Sequence, residues 1–178
     1  ALGEMWKGGA EGSSDVIMVT LGTGVGGGII VDGKIVAGSN GAGGEIGHIT
    51  VNKDEIEACN CGQYGCLEQY ASATGIVRVA QRTLTATEED SVLRKCAKLS
   101  AKNVLDAFKD GDKVACDVMA QVGEMLGGTL AMFACVTDPE AIVIGGGVSK
   151  AGQPLIDCIQ KYYKKYAFSA CKETPIIL

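Results

Sequence analysis

The chain has 178 residues, 47% of them hydrophobic and 21% charged, which suffices for one domain with a sizeable core. A formal charge of −5 leaves no basic footprint for gripping nucleic acid or an anionic membrane. No run approaches the length of a bilayer-spanning apolar segment and no signal-peptide pattern opens the chain, so the cytosol is the expected compartment.

In chain order, residues 1–9 read as the end of a helix stopped by Gly8-Gly9, and residues 10–14 as a loop. Asp15 to Leu21 (DVIMVTL) is a nearly continuous apolar run of strand length, the pattern of a central strand buried on both faces. It feeds Gly22-Thr23-Gly24-Val25-Gly26-Gly27-Gly28, then Ile29 to Val31, Asp32-Gly33, and Lys34 to Ala37. Asp-Gly between two apolar runs predicts a hairpin. The glycine stretch therefore lies between two strands of an antiparallel meander, which excludes a dinucleotide fingerprint, since that needs a helix to start there. A Walker A loop is excluded as well, because no Gly-Lys-Ser/Thr follows. Two readings of the stretch stay open: bare N–H groups and the Thr23 hydroxyl approaching phosphate oxygens, or a hairpin that only needs positive φ.

Residues 38–44 are a second flexible loop, Ile49 to Val51 a short strand and residues 52–58 a polar excursion. A helix after Cys66 runs through Leu67 and Tyr70 and breaks near Ser72; Thr74 is the expected cap of the next, which continues to about Leu84. Residues 85–111 are charged and helical in character, with Ser100 a cap. An amphipathic helix over about Asp112 to Val136 carries Met119, Val122, Leu126, Leu130 and Phe133 at helical spacing, and its Gly127-Gly128 pair predicts close approach of another backbone or a ligand. Ala141 to Ile144 is a short buried strand, followed by Gly145-Gly146-Gly147 and a helix over Gln153 to Phe168. Here glycines do stand between strand and helix, where ligands dock beyond strand ends. The first and last residues, Ala1 and Leu178, read as interrupting a helix and a strand, as in a piece of a longer chain.

The stretch from Glu45 to Glu68 is the densest in chemistry. His48, the only histidine, forms H-x10-C-x-C-x4-C with Cys59, Cys61 and Cys66, the donor set of a closed tetrahedral Zn²⁺ site. In an acidic chain without a secretory signal a clustered set reads as metal ligands, not disulfides. Cys96, Cys116, Cys135, Cys158 and Cys171 read as buried small hydrophobes. Glu45 and Glu68 flank the ligands, so a metal that gathers the loop also gathers two carboxylates. Asp15, Asp32 and Asp138 read as strand-edge and turn residues.

Together LGTGVGGGII, GAGGEIGH, CNCGQYGCLE, ASATG and IVIGGGVS resemble the ROK (repressor, open reading frame, kinase) family over essentially the whole chain, and most closely its bacterial glucokinases. The resemblance implies the α/β, actin-like, ribonuclease-H-like sugar kinase fold, with residues 1–178 forming the C-terminal lobe and residues 1–9 arriving from the N-terminal lobe. It implies ATP, Mg²⁺ and structural Zn²⁺ as cofactors, glucose as the leading hexose substrate, and a homodimer. By it, Gly22, Thr23 and Gly24 match the family's second phosphate loop and Gly145, Gly146 and Gly147 its glycines beside the adenosine. His48, Cys59, Cys61 and Cys66 match its zinc ligands, and Glu45, His48 and Glu68 its contacts to sugar hydroxyls. The family's catalytic aspartate and its first phosphate loop fall upstream of Ala1, so no catalytic base is expected in these residues. Other hexose kinases, acting on N-acetylglucosamine, N-acetylmannosamine, allose or fructose, share this loop, as do sugar-responsive repressors; a zinc-stabilised binding module is the third alternative.

Overall fold

The structure is a computed structural model and describes Gly3 and residues 8–178. The helix expected over residues 1–9 lies outside the described residues except at Gly3, Gly8 and Gly9. Gly8 to Gly12 form turns.

One five-stranded mixed sheet organises the chain, in the order β3-β2-β1-β4-β5: β1 Val16–Leu21, β2 Val25–Val31, β3 Lys34–Ile35, β4 Ala141–Gly145 and β5 Ile176–Ile177. β1 runs antiparallel to β2 and parallel to β4, so it is the inner strand its apolar run predicts. Ile17, Val19 and Leu21 face the main core with Ile142 and Ile144. Val16 and Met18 face the other side with Ile30 and Val143. The Asp32-Gly33 hairpin forms with both residues at positive φ (49° and 71°), and Asp15 Oδ1 accepts the Asp32 N–H at 3.0 Å. The glycine loop is shorter than expected. Gly26, Gly27 and Gly28 belong to β2 and pair with Thr20, Val19 and Met18, leaving Gly22-Thr23-Gly24 as the turn.

Among the described residues after the first three strands, five α-helices form: α1 Glu68–Ala71, α2 Ala73–Ala86, α3 Ala101–Lys109, α4 Lys113–Thr137 and α5 Gln153–Tyr166. The buried Ser72, not Thr74, caps α2, accepting the Gly75 N–H at 2.9 Å; the Thr74 hydroxyl instead donates to Thr23 O at 2.9 Å. Residues 85–111 are less helical than their composition suggests. The Arg94 side chain donates to the Glu89 and Thr87 carbonyls, and the segment forms only a 3-10 turn at Val92–Lys95 before Ser100 and Asn103 close a capping box on α3. Asp112 caps α4 through the Ala115 N–H at 3.0 Å and also accepts from the Ser91 hydroxyl.

By length and composition α4 could cross a bilayer, but Val118, Met119, Val122, Leu126 and Leu130 are buried in the main core, so it is the central helix of this domain. A Cβ at Gly127 would stand 2.7 Å from both Ile159 O and Tyr163 N, which confirms the expected close approach of a second backbone, that of α5. The expected strand at Ile49–Val51 is reduced to one bridge between Thr50 and Cys66, because the chain there serves to bring Cys66 alongside His48. Of the five scattered cysteines only Cys171 is buried; Cys96, Cys116 and Cys158 are half-buried and Cys135 is exposed.

Candidate functional site

Residues 44–48 cross β2 backbone to backbone. A Cβ at Gly47 would collide with Val25 O, and one at Gly27 with Gly44 O, so side-chain-free positions on both segments permit the crossing. The crossing ends in a 3-10 turn at Ile46–His48 that projects His48 and Glu45 beside the Gly22–Gly24 turn. The chain then loops through the cysteines and enters α1 at Glu68.

His48, Cys59, Cys61 and Cys66 converge so that their donor atoms all lie within 4.8 Å of one another. Cys61 Sγ and Cys66 Sγ are 3.6 Å apart, and Cys59 Sγ lies 3.9 Å from His48 Nδ1. Metal–ligand bonds of about 2.0–2.3 Å in a tetrahedron require donor separations of roughly 3.3–3.8 Å, so these residues fit one ion after small adjustments. Their electrostatics point the same way. Burial, then the neighbouring Cys61 and Cys59 thiols, pushes the Cys66 thiol up to about 12, while the Gln63 backbone N–H pulls Cys61 down. Burial and the neighbouring sulfurs thus disfavour a bare thiolate at Cys66, a cost that a bound divalent cation would offset.

The expected contacts gather on one side of this cluster. A cleft of about 410 Å³ is lined by Gly22, Gly24, Glu45, His48, Glu68 and Gly146, among others. His48 spans the boundary: Nδ1 faces the sulfurs and Nε2 lies 3.9 Å from Glu45 Oε2. Glu45 is exposed and Glu68 half-buried. Glu68 Oε2 accepts the Val25 N–H at 3.0 Å, and Oε1 lies 3.9 Å from Cys59 Sγ.

Thr23, Gly145 and Gly147 do not line that cleft. Thr23 is exposed at the tip of the turn. Packing accounts for Gly145 and Gly146, whose Cβ atoms would stand 2.7 Å from Met18 Cε and 2.5 Å from Leu21 O, and Gly146 also has φ of +90°. Gly147 has open space around it and borders a second, apolar hollow of about 270 Å³ with Ala73, Ala101, Leu105 and Val148.

Behind the cysteine loop stands a brace that no sequence pattern announces. Glu55, in the stretch that reads as a polar excursion, has a buried side chain. It accepts two bonds from Arg82 (2.8 and 3.0 Å), one from the Tyr70 hydroxyl (2.6 Å) and one from the Glu57 N–H (3.0 Å), with Arg78 Nη2 also 2.9 Å away. These partners, Arg82 first, hold its carboxyl well below the usual carboxylate range. Asn52 Nδ2 donates to Tyr70 Oη at 2.9 Å, so residues 52–57 are tied to α1 and α2. Arg78 and Arg82 are one turn apart on α2, but nothing in their spacing names the partner carboxylate.

The model of the ROK family matches residues 1–178. The chain belongs to the ROK family. A glucokinase from Halalkalibacterium halodurans is 47% identical over 170 residues, covering 94% of this chain and 52% of that protein. The solved structure of a ROK glucokinase from Streptomyces griseus, in complex with glucose and AMPPNP, superposes with a TM-score of 0.88 at 36% identity, covering 99% of this chain and 59% of that one. A ROK transcriptional regulator, a homologue of the E. coli MLC protein, superposes at 0.85 with 30% identity, covering 99% and 44%. This ROK chain thus spans about half the length of the relatives it matches, and its mixed sheet with flanking helices is the sugar-kinase fold of the family.

Proposed function

We propose that this ROK chain is the sugar-ordering and nucleotide-holding part of an ATP-dependent hexose kinase that converts glucose to glucose 6-phosphate. The observation that carries the reading is the 410 Å³ cleft, in which Glu45, His48 and Glu68 face the Gly22–Gly24 turn and Gly146. Acceptor carboxylates suit hydroxyl donors, each such bond to a charged group contributing about 1.5–3 kcal/mol. Bare glycine N–H groups suit phosphate oxygens. The glucokinase relatives and the neighbour solved with glucose and AMPPNP support the same pairing of ligands.

In this reading His48, Cys59, Cys61 and Cys66 hold a structural Zn²⁺. Coordination through His48 Nδ1 leaves Nε2 as an N–H donor toward the sugar, and Glu45 beside it keeps that orientation. Gly22, Thr23 and Gly24 take the phosphates of MgATP. Gly145, Gly146 and Gly147 lead to the apolar hollow between α2, α3 and the Val148 turn, which takes the adenine. The base that removes the sugar O6 proton as the γ-phosphoryl group is transferred comes from outside these 178 residues, as does the family's first phosphate loop. The protein works in the cytosol as a homodimer.

A coupled assay of ADP release by the full-length protein across glucose, N-acetylglucosamine, N-acetylmannosamine, allose and fructose tests this. Glucose is expected to give the highest kcat/KM, and the 178-residue chain alone is expected to give no glucose-dependent ADP. Failure of the full-length protein to turn over any hexose would contradict the reading. It would favour a sugar-sensing repressor, which the match to the transcriptional regulator supports; sugar-dependent binding to DNA would then be the positive sign.

A further inference from the structure

The Glu68 carboxylate occupies the space where a side chain at position 24 would begin. A Cβ on Gly24 would collide with Glu68 Oε2 and stand 3.2 Å from its Cδ and 3.9 Å from its Cγ, so its three nearest neighbours all belong to that side chain. The same Oε2 accepts the Val25 N–H at 3.0 Å, immediately after the turn. Two more links follow Glu68 in sequence: the Ala73 N–H donates to Gly22 O at 2.7 Å, and the Thr74 hydroxyl to Thr23 O at 2.9 Å. The Gly22–Gly24 turn is therefore docked on residues 68–74, and Glu68 is the charged side chain that joins it to the wall carrying His48 and the cysteines.

We propose that Glu68 is a strut shared by the two halves of the cleft, so that sugar bound at Glu68 and nucleotide bound at the Gly22–Gly24 turn strengthen each other. This rests on the proposed function. With Oε2 fixed on Val25, Oε1, which Cys59 Sγ approaches only at a long 3.9 Å, is the oxygen left to accept from a sugar hydroxyl. A hydroxyl on Oε1 restricts rotation of the carboxylate, which holds Oε2 on the Val25 N–H and the turn in the shape the phosphates meet. The linkage is reciprocal, because each ligand then meets a carboxylate and a turn already ordered by the other. Gly24 is thereby a positioning residue for the sugar: its lack of a side chain keeps Glu68 in place, although it belongs to the phosphate side.

The test uses the full-length, metal-loaded protein and isothermal titration. Gly24→Ala introduces a methyl whose nearest neighbour is the far end of the Glu68 side chain, so the fold is expected to be retained while the carboxylate is displaced. In the absence of nucleotide, glucose affinity is expected to fall at least about fivefold, with metal content unchanged. Conversely, Glu68→Ala is expected to weaken AMPPNP binding at least about fivefold in the absence of sugar, and to abolish the tightening of AMPPNP by glucose. Glucose affinity of Gly24→Ala within twofold of the parent overturns the inference. So does unchanged AMPPNP affinity in Glu68→Ala, which stands as the sole arm should Gly24→Ala not fold. A parent protein that binds no hexose overturns the proposed function itself, and this inference with it.

Discussion

Where α4 meets α5, Leu126, Leu130, Ile159 and Tyr163 are fully buried and the two backbones touch at Gly127. Between residues 49 and 65 the chain buries Glu55, Cys59 and Gly65 and not one aliphatic side chain. The helical layer keeps its shape by excluding water from apolar surface. The cysteine loop, which in the proposed function carries the sugar-facing wall, is gathered by four potential metal donors at one end and one carboxylate with its arginines at the other. Non-directional burial tolerates small displacements, whereas ligand geometry and ion pairs are lost one partner at a time. A wall built in the second way can be ordered or released without unfolding the domain.

The largest expected effect falls on the helical layer. Leu126→Ala leaves a cavity beside α5 and should lower global stability by about 3 kcal/mol in denaturant titration, while the metal stoichiometry stays at one. A metal stoichiometry that falls below one in Leu126→Ala without denaturant, where its helices remain folded, would show that the two regions are less independent than their packing indicates.

Glu55→Ala should do the reverse. It strands Arg82, Arg78 and the Tyr70 hydroxyl and should cost about 2 kcal/mol, below the range for fully buried pairs because Arg82 is half exposed and regains water. The loss should appear as faster amide exchange over residues 50–60 and faster metal release to a chelator, with little change in the thermal midpoint. The same contact sets a pH dependence. Glu55 is held well below the usual carboxylate range, so its contribution is fully present above the unfolded value of about 4.3 and is lost progressively as pH falls below it. Metal release that accelerates equally between pH 5 and 3 in parent and Glu55→Ala would contradict this assignment. The smallest effect is on a cap. Ser100→Ala removes the Asn103 N–H acceptor at the start of α3 and should cost about 1 kcal/mol in global stability, leaving metal release unchanged.

Much of the helical layer and sheet was legible because local signals agreed with tertiary ones. The apolar run at β1, Asp32-Gly33 and the spacing of Met119, Val122, Leu126 and Leu130 each specify an element without reference to distant residues. Errors fell where two local signals competed or a distant group decided. Ser72 and Thr74 are both plausible caps, and the choice turned on Thr23 being in reach of Thr74. Residues 85–99 have helical composition, but Arg94 binds carbonyls that a helix would have used internally. The metal cluster was legible because its spacing is compressed into one loop. Glu55 was not, since its burial depends on Arg82, 27 residues later. Nor was the place of Glu68 against Gly24, which rests on contacts of the Gly22–Gly24 turn and Val25 with residues 43 to 51 positions later.

The central claim is that the metal orders the sugar-facing wall and takes no part in the chemistry. It is tested most directly by glucose titration of the full-length protein before metal removal, after removal, and after Zn²⁺ is restored, with helix content followed by circular dichroism. Helix content should hold while glucose affinity falls at least about tenfold and returns with Zn²⁺. Unchanged glucose affinity in metal-free protein whose cysteine loop is disordered would contradict the claim.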